Sequence, residues 1–143
     1  MIIYKNNTDN ITPEMVSGFF SPSGWKDYPS TDKFLLLLNN SEYKILAIDD
    51  EKNIVIGFIN ALSDKVLSAY IPLLEVLPEY QNKGIGSELV KRMMNELKDY
   101  YMIDLLCNED LEGFYSRFGM KKYSAMMKRN YDKQKGKKEI PEE

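Results

Sequence analysis

Two stretches of apolar, β-branched residues, Tyr43 to Ile48 and Ile54 to Leu62, are separated by the turn-like Asp-Asp-Glu-Lys-Asn. A second turn at Ser63-Asp64-Lys65 leads into a third stretch, Val66 to Leu77. Runs of this kind joined by short polar turns predict an antiparallel meander. Proline cannot donate to a ladder, so Pro72 predicts an irregularity inside the third strand. From Ile85 to Tyr101 the period changes. Ile85, Leu89, Met93 and Leu97, with Val90, Met94 and Tyr101 beside them, follow helical spacing and predict one long amphipathic helix. Met102 to Cys107 is again a short apolar strand, and strand, helix, strand in succession implies a right-handed parallel crossover.

The flanks are read from punctuation. Ile2 to Tyr4 is a short first strand. Ile11-Thr12-Pro13 reads as a helix start with Thr12 as N-cap and Pro13 in the first turn, and Ile11 and Val16 are spaced for a hydrophobic staple. Ser21 to Pro29 is rich in breakers and reads as a loop, yet it carries Trp25 and Tyr28. Ser30 caps a second helix bearing Phe34, Leu35 and Leu38, ending near Asn39 and Asn40. Asn108 or Asp110 caps a short helix bearing Leu111, Phe114, Tyr115 and Phe118, with Gly119 suited to its left-handed end. Met120 to Tyr131 reads as a last strand. The expected architecture is one α+β domain over residues 1–131, a central mixed and mostly antiparallel sheet flanked by helices. Residues 132–143 are too charged to pack and read as a mobile tail.

Composition narrows the function. With 43% hydrophobic and 29% charged residues in 143, the chain is ordinary globular protein. Its net charge of −3 supplies no basic surface for phosphate contacts, so nucleic acid is not an expected partner. One cysteine, Cys107, excludes an internal disulfide and fits a reducing cytoplasm. No apolar run approaches the roughly 20 residues that a bilayer span requires, and Met1 to Asn10 has no signal-peptide core, so a membrane partner is not expected either. The absence of histidine removes the usual zinc sites, serine triads and imidazole bases together, so no metal is expected.

The segment that carries chemistry is Glu75 to Ser87, E-V-L-P-E-Y-Q-N-K-G-I-G-S, where a strand runs through Pro78 into a glycine turn that opens a helix. Unpaired amides at a helix N-terminus, with the dipole behind them, form a site for phosphate or pyrophosphate. A dinucleotide fingerprint would need a small residue where Leu89 stands, and a P-loop would need its lysine after the glycine, whereas Lys83 precedes Gly84.

The spacing of Gln81, Gly84 and Gly86 (Q-x-x-G-x-G) resembles the acetyl-CoA pyrophosphate motif of the GNAT acyltransferases. Phe114 to Met120, F-Y-S-R-F-G-M, is similar to that family's F-Y-x-x-x-G-F signature. The resemblance runs from about Tyr70 to Tyr131 and implies a GNAT-type fold and acetyl-CoA as cosubstrate. It implies that amides near Val76 and Leu77 meet the acetyl-pantetheine end. It implies too that Gln81, Lys83, Gly84, Ile85, Gly86 and Ser87 form the pyrophosphate turn, with Asn108 beside the pantetheine arm. Tyr115 matches the tyrosine that protonates the departing thiolate; its other reading is a core aromatic sharing a helical face with Leu111 and Phe118.

Acyl transfer to an amine also needs a proton acceptor, because an amine of pKa near 10.4 is only about one part in a thousand neutral at pH 7. Glu75 is the nearest carboxylate in sequence, although strict alternation places it on the opposite face from Tyr70, Leu74 and Val76. Where many members of the family carry a base, this chain has Tyr70 and Pro72. Cys107, in an apolar strand without a histidine to activate it, reads as packing. Met93-Met94 and Met126-Met127 read as helix and strand core. Trp25 and Tyr28 are candidates for the acceptor pocket. The expected activity is acetyl transfer to a primary amine, on a small molecule or a peptide; the alternative is a CoA-binding module without turnover. The final strand would leave an edge or apolar face for a second copy to cover, a homodimer.

Overall fold

In the computed structural model, which describes residues 1–138, five strands form one sheet in the order β1-β2-β3-β4-β5. β1 is Ile2–Lys5, β2 Tyr43–Asp49, β3 Ile54–Ser63, β4 Ser68–Val76 and β5 Met102–Leu105. Neighbours are antiparallel except for β4 and β5, which run parallel, as a crossover through a helix requires. The central strands β2 and β3 are the most apolar and the most buried, since both faces of the sheet are covered.

Helix α1, Thr31–Asn40, begins at Ser30, whose side chain accepts from the Lys33 amide, and buries Phe34 and Leu38. Helix α2, Ile85–Glu96, buries Ile85, Leu89, Val90 and Met93 on the opposite face of the sheet. A Cβ on Gly57 of β3 would meet Leu89 at 3.2 Å, so glycine there lets α2 lie close on the strand. On the other face Phe19, Phe20, Phe34 and Phe58 form a cluster of edge-on rings, Phe34 and Phe58 4.8 Å apart. Helix α3, Glu112–Ser116, follows a 3-10 turn capped by Asn108, and Gly119 takes φ +85°.

Three expectations change. The helix at Thr12 is only the 3-10 turn Pro13–Val16, although Ile11 and Val16 are both buried as a staple would have them. The long helix stops at Glu96, because Leu97 turns out of helical geometry and Tyr100 then bonds its hydroxyl to Tyr43 at 2.6 Å. Met120 to Asn130 belongs to no strand. The segment runs along the surface with Met126 97% exposed, so the Met126-Met127 pair is not core. Local alternation suits a strand, but a ladder needs a neighbour, and among the described residues none pairs with it. Beyond this segment, Gly136 to Lys138 border a surface cleft with Lys33 and Leu36 of α1. The expected mobile tail lies partly in 139–143, outside the described residues.

Candidate active site

β4 has two different sides. It pairs with β5 only from Ser68 to Ile71, opposite Met102 to Leu105. Pro72 then has no N–H to offer, and the parallel pairing ends. On the other side β4 stays paired with β3 as far as Val76. The Leu77 amide continues that contact, donating to the Ile56 carbonyl at 2.9 Å. Backbone groups turn to alternate sides along an antiparallel strand, so the amide of Val76 faces the open side. Leu77 is therefore corrected: its amide is engaged, and its side chain is buried against Gly18.

The turn after β4 is built to stay open. Val76 offers its carbonyl to Gln81 Nε2 at 2.9 Å, and Tyr80 donates its hydroxyl to Asp49 Oδ2 at 2.6 Å. That bond pushes the Tyr80 hydroxyl up to about 12 and holds the Asp49 carboxyl below the usual carboxylate range. Gly84 takes φ +82°, a conformation costly for any residue with a Cβ, and α2 starts from it. The first full-turn bond runs from the Glu88 amide to the Gly84 carbonyl at 3.0 Å, which leaves Ile85, Gly86 and Ser87 N–H without helical acceptors. A Cβ on Gly86 would lie 3.9 Å from both Phe114 and Val76, so the turn, α3 and the open strand meet there. Lys83 is exposed, its Nζ 5.6 Å from the Tyr80 ring.

One residue here escaped the sequence reading. Arg117 reaches from α3 to donate to Ser87 Oγ at 3.1 Å, with its guanidinium 5.1 Å from the Phe114 ring. This puts a cation at the free amides of α2. The available signal was a lone arginine inside the F-Y-S-R-F-G-M segment.

Tyr115 is 8% exposed, and burial pushes its hydroxyl up to about 12, with Cys107 adding to the effect. It lines a cleft of about 650 Å³ whose other walls include Leu105, Cys107, Gly113 and Tyr123. Cys107 is corrected: β5 ends at Leu105, so the thiol is exposed beyond the strand rather than packed in it. Asn108 caps through its carbonyl, which accepts from Leu111 at 2.9 Å, while its side chain makes no cap bond.

Glu75 lies elsewhere than strict alternation predicts. The β3–β4 register pairs Phe58 with Glu75, Asn60 with Leu73 and Leu62 with Tyr70, so Ile71 and Pro72 together oppose Ala61. This bulge shifts the alternation by one residue. Residues paired across strands share a face, so Glu75, Leu73 and Tyr70 lie on the Phe58 face. There both carboxylate oxygens of Glu75 stand 3.0 Å from the Phe20 amide. Phe20 has φ +76° and ψ −55°, and the Ser21 amide bonds the Phe19 carbonyl at 3.0 Å, a strained γ-turn. Partial burial raises the Glu75 carboxyl above its ordinary value, against the Phe20 amide and the Ser23 hydroxyl, which lower it. Trp25 packs edge-on to Phe20 at 4.9 Å and Tyr28 stacks on it at 6.0 Å, so the acceptor-loop candidates share one aromatic with the Glu75 contact.

Both the sequence and the fold match known proteins. The model of the acetyltransferase (GNAT) family matches residues 10–120. A crystal structure of a candidate acetyltransferase from Deinococcus radiodurans R1 superposes with a TM-score of 0.90 at 41% identity, covering 98% of this chain and 94% of that one. A GNAT family acetyltransferase from Streptococcus pneumoniae TIGR4 gives a TM-score of 0.73 at 28% identity over 91% of this chain and 98% of its own. An uncharacterized N-acetyltransferase of Porphyra purpurea is 27% identical over 82% of this chain and 69% of its own length. A family model over most of the chain, and a solved relative that matches nearly all of it, place this protein in the GNAT family of acetyltransferases, whose cosubstrate is acetyl-CoA.

Proposed function

We propose that the chain moves an acetyl group from acetyl-CoA directly to a primary amine within a ternary complex. The observation that carries the reading is the parting of β4 from β5 after Ile71. It leaves the Val76 amide open, next to the free amides of Ile85, Gly86 and Ser87. Two negative phosphates suit that helix N-terminus, with Lys83 and Arg117 adjacent and Gln81 ordering the turn. Asn108, whose side chain is free, borders the pantetheine path. When bound, acetyl-CoA supplies the activated acetyl group, and the chain's own residues move protons around it. Glu75 accepts the proton of the ammonium, directly or through water, and its raised pKa suits a base. Tyr115 holds its proton throughout the neutral range and delivers it to the leaving sulfur. The loop bearing Trp25 and Tyr28 forms the acceptor side, since it meets Glu75 through Phe20. The acidic balance of the chain favours cationic small molecules over anionic ones as acceptors.

The second reading, a CoA-binding module without turnover, is favoured by Tyr70 and Pro72 standing where the resemblance expects a base. Calorimetry with acetyl-CoA and desulfo-CoA, followed by thiol release over an amine panel, separates the cases. Binding with turnover supports the transferase, and binding with none on any amine supports the module. No binding of either ligand refutes both.

A further inference from the structure

Asp49 closes β2 as a buried carboxylate, and among the described residues it forms no ion pair. A carboxylate in such a place must have its oxygens hydrogen-bonded. Oδ1 accepts from the Glu51 and Lys52 amides at 3.1 and 3.4 Å and so closes the β2–β3 hairpin, while Oδ2 accepts from the Tyr80 hydroxyl at 2.6 Å. The second bond crosses from the sheet to the turn after β4, and its length is that of a charge-assisted bond. Tyr80 ends the 3-10 turn Pro78–Tyr80, and the Gln81 amide then bonds the Pro78 carbonyl. Two left-handed residues follow close together, Asn82 at φ +63° and Gly84 at φ +82°. Outside glycine such a conformation persists where the flanking structure holds it. Downstream, Ile85 and Leu89 bury α2 against the sheet. Upstream, the side-chain anchors are Gln81, on the Val76 carbonyl, and Tyr80, on Asp49. Among the described residues no backbone acceptor engages the amides of Asn82, Lys83 and Gly84, which adjoin the free amides of α2.

We propose that Asp49, acting through Tyr80, is a positioning residue for acetyl-CoA: it fixes the turn whose amides receive the pyrophosphate, and so sets affinity for the cosubstrate without touching it. The inference rests on the reading of that turn as the pyrophosphate site. Asp49 lies on β2, which is not a neighbour of β4 in the sheet, and nothing in the glycine motif points to it. The ring that Asp49 fixes also has two ammonium groups near it. Lys83 Nζ of the turn lies 5.6 Å from its centroid and Lys52 Nζ of the hairpin 6.0 Å. A bond that only stabilised the fold would lower the melting temperature on removal and leave cosubstrate binding alone. A bond that orders amides acts on binding, because a loosened turn must be ordered again each time the ligand arrives.

Tyr80→Phe tests this directly, since it removes the hydroxyl and keeps the ring. In calorimetry the variant should bind acetyl-CoA about tenfold more weakly, the affinity equivalent of one charge-assisted bond. With an amine that turns over, KM for acetyl-CoA should rise by the same factor, while kcat at saturation and KM for the amine keep their wild-type values. Hydrogen exchange should quicken from Asn82 to Ser87. Asp49→Asn made in the Tyr80→Phe background should add no further loss of affinity, because the two residues act as one unit. Should Tyr80→Phe fail to fold, Asp49→Asn alone carries the test: one of its two terminal atoms is a donor, so either the hairpin amides or Tyr80 lose their acceptor, and acetyl-CoA binding should weaken in the same direction. A folded Tyr80→Phe variant with wild-type affinity for acetyl-CoA overturns the proposal and leaves the pyrophosphate reading intact. So do additive losses in the double variant, or a fall in kcat with KM unchanged. If the wild type itself binds no acetyl-CoA, the pyrophosphate reading falls and this inference falls with it.

Discussion

Replacing Glu75 separates a contact seen in the structure from the catalytic role proposed for the same carboxylate. It holds the Phe20 amide in a γ-turn and is the candidate proton acceptor. Glu75→Ala leaves that part-buried N–H without its acceptor, a loss of about 1–3 kcal/mol. At this chain length that is roughly 4–10 °C in melting temperature. The γ-turn, which stores on the order of 1–3 kcal/mol of its own, also loses its restraint. Glu75→Gln keeps an acceptor oxygen. It exchanges a charge-assisted bond for a neutral one at a cost of about 1 kcal/mol, partly offset because no charge is then held in a desolvated place. The Gln variant should therefore melt close to the wild type while its turnover at neutral pH falls by about 10²–10⁴-fold. The pH dependence has a definite sign. Burial raises the folded-state pKa, so the wild-type rate should fall as pH drops through that raised value, and the Gln variant should lose this acid limb. For stability, ionising Glu75 costs the fold as pH rises from its unfolded pKa to its folded one, and that slope should vanish in the Gln variant. Thermal melts across pH and thiol-release kinetics with chemistry shown to limit the rate are the assays. Wild-type turnover by the Gln variant would refute the base and leave the holding role. An Ala variant as stable as wild type would refute the holding role.

Tyr115→Phe should retain the fold and acetyl-CoA affinity and lower kcat by about 10²–10⁴-fold; equal single-turnover rates would return Tyr115 to the core alone. With its hydroxyl pushed up to about 12, Tyr115 should contribute no alkaline limb near neutrality, which a kcat–pH profile checks. Gly84→Val places a β-branched residue at φ +82°, costing about 1–3 kcal/mol, and should abolish acetyl-CoA binding in calorimetry while the sheet persists. Cys107→Ala should turn over like the wild type, because the exposed thiol has no histidine to activate it; trapping of a Cys107-bound acetyl group by mass spectrometry would overturn direct transfer.

The sequence by itself determined what depends on neighbours along the chain. Apolar period set the five strands and α2 near their observed places, Ser30 capped α1, and Pro72 marked the break in β4. The glycine turn was legible because Gly84 and Gly86 are where backbone amides must stand clear of side chains. What only the tertiary structure decided depends on a partner strand or a distant side chain. The two-for-one bulge at Ile71 and Pro72 put Glu75 on the Phe58 face, and no count along β4 alone shows a register with β3. The bond from Leu77 to Ile56 chose which amide stays open. Arg117 reached Ser87 only because α3 lies over the turn. The segment from Met120 to Tyr131 shows the boundary most clearly. Its alternation specifies an extended chain, but a strand exists only when another strand accepts its hydrogen bonds, and that acceptor is not encoded within the segment.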